Sequence, residues 1–233
     1  MQNNRMSEWF VPKFGPEKFR LGVGILFLPY TSIVTCFAAL GAISGQLELE
    51  RIIAICLIYF LALGVSAHLL DAVGGKTKPW GELPKRRTWI ISMSSLGVAF
   101  AIGIYYAFLD SLLLFPIGIL EGFFLFAYNL EWFDGKFHNK ASTVFSWGIL
   151  PVFAGSAIQT NLISTETVLI SGITATITYA LIRESRPYKI LKQNNADENA
   201  VSRKELFLKL LTAGVVLATL VFFIVRYYNL NLV

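Results

Sequence analysis

Residues 50–71 read Glu50-Arg51-Ile52-Ile53-Ala54-Ile55-Cys56-Leu57-Ile58-Tyr59-Phe60-Leu61-Ala62-Leu63-Gly64-Val65-Ser66-Ala67-His68-Leu69-Leu70-Asp71. Glu50, Arg51, His68 and Asp71 stand toward the two ends, and a continuous apolar run lies between them. A helix needs roughly 20 mainly apolar residues to cross about 30 Å of hydrocarbon, and this stretch meets that length. A barrel strand would instead alternate apolar and polar residues over about ten positions. Working outward, similar runs occupy 20–43, 88–108, 110–131, 142–161, 165–183 and 206–228. The expectation is an all-α polytopic membrane bundle of about seven transmembrane helices, with a single domain over 20–233 behind a polar segment, 1–19. The runs at 142–161 and 165–183 are rich in Ser, Thr, Gly and Ala, which suits helices packed closely against neighbours.

Composition agrees. The 233 residues are 55% hydrophobic and only 15% charged, and mean hydropathy is +0.60. Soluble domains carry about a quarter charged residues, so this balance excludes them, along with disordered and collagen-like chains. The net charge of +5 does not call for nucleic acid. With the N-terminus cytoplasmic, every Lys and Arg except Arg51 and Arg226 falls in an inside segment. That bias sets the topology of membrane proteins, and it leaves the C-terminus outside. Trp9, Trp80, Trp89, Trp132 and Trp147 lie at the same predicted ends, where indole rings favour the headgroup layer. The first 19 residues are polar and interrupted by Pro12 and Pro16, so no cleavable signal is expected. The stretch Trp9–Phe14 reads either as an interfacial strip or as a free tail. Cys36 and Cys56 sit within spans and read as small apolar residues.

Polar groups inside a bilayer are costly, so their positions narrow the search for a site. His68 and Asp71 are three residues apart and share a helix face. Gly74-Gly75-Lys76-Thr77-Lys78 follows, and paired glycines beside lysines let backbone amides approach an anion. Glu131, Asp134 and His138 form a second cytoplasmic cluster. Asp71, His68 and Asp134 are candidate metal ligands, with carboxylates favouring Mg²⁺ bridged to phosphate; capping of helices at a wet interface is the plainer alternative. Glu121 falls near mid-membrane, about ten residues or roughly 15 Å from the inner end of its span, where it either faces a polar cavity or pairs with Ser, Thr or Tyr. Pro29, Pro116 and Pro151 should kink their spans. Pro29 and Pro151 each open a half of the chain that ends in a basic loop, a pattern of parallel repeats.

The order of helices, Pro29 and Pro151, and Lys78-Pro79-Trp80-Gly81 before the third span together resemble the UbiA family of intramembrane prenyltransferases over roughly residues 20–190. The resemblance implies an all-helical bundle whose cytoplasmic loops hold Mg²⁺ and an allylic diphosphate above a cavity for the isoprenoid chain. It implies catalytic roles for Asp71, His68 and Glu121, and diphosphate binding by Lys76, Lys78, Arg183, Arg186 and Lys189. The partner would be a membrane lipid or isoprenoid. The chain departs from the family pattern in two places. Ala67, His68 and Gly75 stand where Asn, Asp and Asp belong, and Arg183-Glu184-Ser185-Arg186-Pro187-Tyr188-Lys189 lacks the second Asp-x-x-x-Asp.

Two activities follow, prenyl transfer to a lipid or aromatic acceptor, or non-catalytic binding of an isoprenoid lipid or a protein partner. A small transporter built around Glu121 ranks below both. Glu131-x-x-Asp134-Gly135 resembles the start of a CDP-alcohol phosphotransferase motif, but Asn139 stands where its Arg belongs and no later aspartate pair follows, which excludes that family.

Overall fold

A computed structural model describes residues 5–74, 80–194 and 197–231, with the side chains of 230 and 231 outside that description. Among the described residues the fold is all helix, with no strand. Six helices among the described residues are long and apolar enough to cross a membrane. The first, Glu17–Ile43, is broken in two, α1 (Glu17–Ile25) and α2 (Leu28–Ile43); then come α3 (Leu49–Gly74) and α4 (Lys85–Leu109). α5 (Leu114–Asn129) is apolar but shorter, and α6 (Lys140–Thr160), α7 (Thr165–Gln193) and α8 (Glu198–Asn231) complete the bundle. Six of the expected apolar runs thus correspond to helices of spanning length, and the run 110–131 corresponds to the shorter α5. Although α5 has only 16 residues, it joins both ends of the bundle. Leu113 N–H just before it donates to Asn161 Oδ1 at 2.9 Å, while its last residues lie against Gly74 at the end of α3.

The expected proline kinks take another form. Phe27 adopts the left-handed conformation at φ 47° and breaks the first span, so Pro29 falls in the first turn of α2. A π-helical stretch, Val144–Ile149, precedes Pro151, which stands where α6 returns to α-helical geometry at Leu150. Pro116 stands in the first turn of α5. In a first turn the missing N–H has no intrahelical partner to lose, so Pro29 and Pro116 cost no hydrogen bond, whereas Pro151 lies inside the continuous helix Lys140–Thr160. A second π-helical stretch, Phe60–Ala67, interrupts α3.

Small residues set the closest packing, as expected for 142–161 and 165–183. A Cβ on Gly155 would meet the Ala38 carbonyl oxygen, and one on Gly41 would meet that of Val152, so the backbones of α2 and α6 touch. On α7 a buried ridge of Thr167, Ser171, Thr174 and Thr178 faces inward. Thr174 Oγ1 donates to the Gly148 carbonyl, which the π-helical stretch exposes. Side-chain hydroxyls answer freed carbonyls in this way where no water is present.

The two arginines outside the topology pattern are both tied down on the face opposite the N-terminus. Arg226 donates to the carbonyls of Ile43, Ser44 and Gly45 at the end of α2. Arg51, 8% exposed, donates to Asp110 and to the Ile158 carbonyl and pairs with Glu48 at 2.8 Å.

The free-tail reading of the N-terminal stretch is replaced by a docked segment. Val11 is buried with Ile25, Ala72 and Trp80, and Phe10 packs on Phe27 at 4.5 Å between ring centroids. Glu8 is buried and accepts a 2.8 Å hydrogen bond from the Tyr188 hydroxyl. Arg20 Nε holds the Pro12 carbonyl at 2.7 Å. These contacts fasten residues 5–12 across the end of the bundle, called here the basic face.

Candidate functional site

The break in the first span places the site. It leaves the Leu26 carbonyl outside the regular ladder, and Thr31 Oγ1 donates to it at 2.7 Å. His68 Nδ1 donates to the same oxygen at 3.1 Å and to the Gly64 carbonyl at 3.3 Å. Both partners are carbonyls, so Nδ1 carries the proton and Nε2 is left with its lone pair. Among the described residues Nε2 is buried without a hydrogen-bond partner. The imidazole thus braces α3 against the α1–α2 break and interacts electrostatically with Asp71, one turn further along.

Around Phe27 the chain gathers charge. Arg5 lies 5.9 Å above its ring and Lys189 lies 5.5 Å from it. Lys189 also interacts electrostatically with Arg5, Asp71, Glu8 and Arg186, so three cations face two carboxylates. Arg186 and Thr143 lie near the Tyr128 hydroxyl, and Arg186 interacts with it electrostatically. Phe27 stacks on Tyr30 at 4.1 Å, and Tyr30 and Tyr128 both border Trp147, at 6.2 and 6.3 Å. An aromatic floor therefore lies on the inner side of a cationic cluster, where ring faces favour Lys and Arg.

Beyond that floor is an apolar cavity of about 280 Å³. Tyr128, Asn129, Ser146 and Trp147 close it toward the basic face, and Ile58, Leu63, Leu96 and Phe124 are among its apolar walls. Both π-helical stretches contribute lining residues. Ile104 of α4 and Ile119 of α5 line it and are also exposed on the outer surface, so it opens sideways between those helices. Gly122 lets Phe100 rest across the gap, 3.1 Å from where a Cβ would stand. In the wall, Tyr59 of α3 donates to Glu121 of α5 at 2.7 Å. Glu121 stands eight residues from the end of α5, about 12 Å, close to the expected depth.

The expected site residues divide. His68, Asp71, Arg186 and Lys189 converge at the basic face, and Glu121 lies in the cavity. Arg183 turns outward onto Glu184, with its side chain 66% exposed. Asp134 is exposed on the α5–α6 connection, in a left-handed turn at φ 56°. Among the described residues no three His, Cys, Asp or Glu side chains gather as a metal-ligand set, so Asp134 does not join His68 and Asp71. Lys76 and Lys78 lie outside the described residues. His138, on the same connection, stacks on Tyr128 at 4.1 Å. Arg5, Tyr128 and Tyr59 were not anticipated. Arg5 signalled only topology, and no local pattern marks an aromatic residue that will face a charge.

Comparison with known proteins found no matching family model, no similar curated protein and no similar solved structure.

Proposed function

We propose that this chain is a UbiA-like integral membrane protein of seven transmembrane helices, N-terminus cytoplasmic, that binds an isoprenoid-type amphiphile with a phosphate head. The tail would occupy the apolar cavity, and Arg5, Arg186 and Lys189 would hold the head. The observation that carries the reading is the position of Tyr128. Its ring closes the cavity while its hydroxyl meets Arg186, so apolar space ends one side chain from a cationic cluster. Charge-assisted hydrogen bonds from Arg suit phosphate oxygens. Binding without turnover is the form the geometry favours. The described residues offer Mg²⁺ no ligand set, and Asp71 stands where the family pattern has several carboxylates.

Prenyl transfer is the second reading, favoured by the His68 Nε2 near Asp71, an atom that has no hydrogen-bond partner among the described residues. In that reaction the allylic C–O bond breaks, diphosphate leaves with the electron pair, and the acceptor bonds to the allylic carbon as it loses a proton.

The test is thermal unfolding of detergent-purified protein with geranylgeranyl diphosphate, with and without Mg²⁺ and in Asp71→Ala. A ligand bound only to the folded state raises the midpoint by mass action. Stabilisation that persists in chelator and in Asp71→Ala, with no diphosphate released, is the expected result. Mg²⁺-dependent stabilisation lost in Asp71→Ala, or release of diphosphate with an acceptor present, would establish transfer. No shift under any condition would overturn both readings.

A further inference from the structure

We infer that the amphiphile held in this cavity carries a hydroxyl group along its chain, received by Glu121 and Tyr59. This rests on the proposed reading of the cavity as a tail site and specifies what kind of tail fits it. A simple hydrocarbon would be served best by an apolar wall throughout. Instead the wall contains a carboxyl group, and among the described residues no Lys, Arg or His lines the cavity with it. Removing a carboxyl from water without a cation is expensive, whichever protonation state it adopts.

The bond from Tyr59 does not satisfy the pair. Tyr59 spends its single proton on Glu121 Oε1. That leaves a lone pair on the phenol oxygen and hydrogen-bonding capacity at the second carboxyl oxygen. Both residues line the cavity, so the remaining capacity is available to an occupant.

The chemistry of that occupant follows from the protonation alternatives. An ionised Glu121 accepts a proton donor and has nothing to offer a carbonyl. A protonated Glu121 donates a hydrogen bond and has no charge for an ammonium group. A hydroxyl answers both, because it donates to a carboxylate and accepts from a carboxylic acid. It can also donate to the Tyr59 oxygen. Its position is set by α5. Glu121 and Tyr128 are seven residues apart, which is about 10 Å along the helix axis. The predicted ligand is therefore a chain whose phosphate end and hydroxyl are separated by about that distance.

A matched pair of probes tests this on the full chain in nanodiscs, decyl phosphate and 10-hydroxydecyl phosphate. Wild type should prefer the hydroxylated probe relative to Glu121→Leu, with the affinity ratio between probes changing about tenfold, since one satisfied hydrogen bond in an apolar site is worth about that factor. Glu121→Gln keeps a group that donates and accepts, and it should retain part of the preference. An infrared difference spectrum of wild type provides a readout independent of the leucine variant's folding. The carboxyl band of Glu121, identified by its loss in Glu121→Gln, should change with the hydroxylated probe and not with decyl phosphate. An unchanged probe ratio in Glu121→Leu, or identical spectra with the two probes, overturns the hydroxyl inference and leaves the tail site standing. Failure of wild type to bind either probe overturns the tail site and the inference together.

Discussion

Arg51 grips Asp110 with both ends of its guanidinium, Nη1 to Oδ1 at 2.8 Å and Nη2 to Oδ2 at 2.6 Å, across 59 positions of sequence. The same arginine reaches the Ile158 carbonyl, so one side chain ties α3, the α4–α5 connection and α6. Hydrogen bonds from Arg51, and secondarily from Ser111, hold the Asp110 carboxyl down to about 2 from its ordinary 3.8. A carboxyl depressed on folding stabilises the folded state above its unfolded value, and that contribution fades as pH falls through its folded value. Wild type should therefore lose thermal stability between about pH 4 and pH 2 in a component that Asp110→Asn lacks. Unfolding midpoints of the two proteins across that window check this. Parallel curves would show that the pair does not contribute.

The contact of Gly155 with the Ala38 carbonyl predicts intolerance of a single methyl group. Gly155→Ala must separate α2 from α6, and overpacking of this kind costs about 1–3 kcal/mol. Gly172 on α7 has nothing within 4 Å of its would-be Cβ. Gly172→Ala should be neutral or stabilising by up to about 1 kcal/mol, since glycine is the poorer helix residue. Reversible unfolding in mixed detergent measures both.

Docking of the N-terminal segment depends on Glu8, which Tyr188 and Lys192 hold at 2.8 and 3.4 Å. Glu8→Ala should remove the acceptor the two groups share, leaving Lys192 only the Ser7 carbonyl and the Tyr188 hydroxyl and Tyr188 only Glu205 at 3.5 Å, and release the segment. Limited proteolysis ahead of α1 should become faster by an order of magnitude or more, given a charge-assisted bond worth about 1.5–3 kcal/mol. Unchanged cleavage would mean that the apolar contacts of Val11 and Phe10 suffice.

Arg183 and Arg186 are three residues apart, yet only Arg186 turns toward Tyr128. Arg186→Ala should weaken decyl phosphate binding about tenfold or more, as loss of a charged hydrogen bond does. Arg183→Ala should leave it within a factor of two or so, as expected of an exposed charge. Equal losses would point to a diffuse surface field, and the two variants would then lose their salt dependence together.

The helices were legible because the bilayer imposes length and polarity on each run separately. Segment 50–71 could be recognised without any neighbour. The irregularities inside the helices were less so. Pro29 signalled a disturbance, but the chain turns at Phe27, a bulky residue that only tertiary packing keeps in a left-handed conformation. That break creates the carbonyl that occupies His68, so the sequence placed His68 at the correct end without revealing its task. α7 runs on to Gln193 through Arg183, Arg186 and Pro187, past the apolar limit at 183, because a helix can leave the hydrocarbon and continue. For Glu121 the sequence supplied depth, whereas its partner Tyr59 required the rotation of α3 against α5. The docking of Glu8 onto Tyr188 joins residues 180 positions apart, and nothing local announces it.

The gap between α4 and α5 has a consequence for how affinity is expressed. A cavity entered from the side draws its occupants from the two-dimensional mixture around it, where abundance is a mole fraction and solubility in water hardly matters. Ordinary lipid chains compete for the same space at overwhelming excess. On the proposed reading, the occupant retained would be selected by what bulk lipid lacks, a group for Glu121 and Tyr59 at one depth and a charge for Arg186 and Lys189 at another. Changing the host membrane should move the apparent affinity even when every protein contact stays the same.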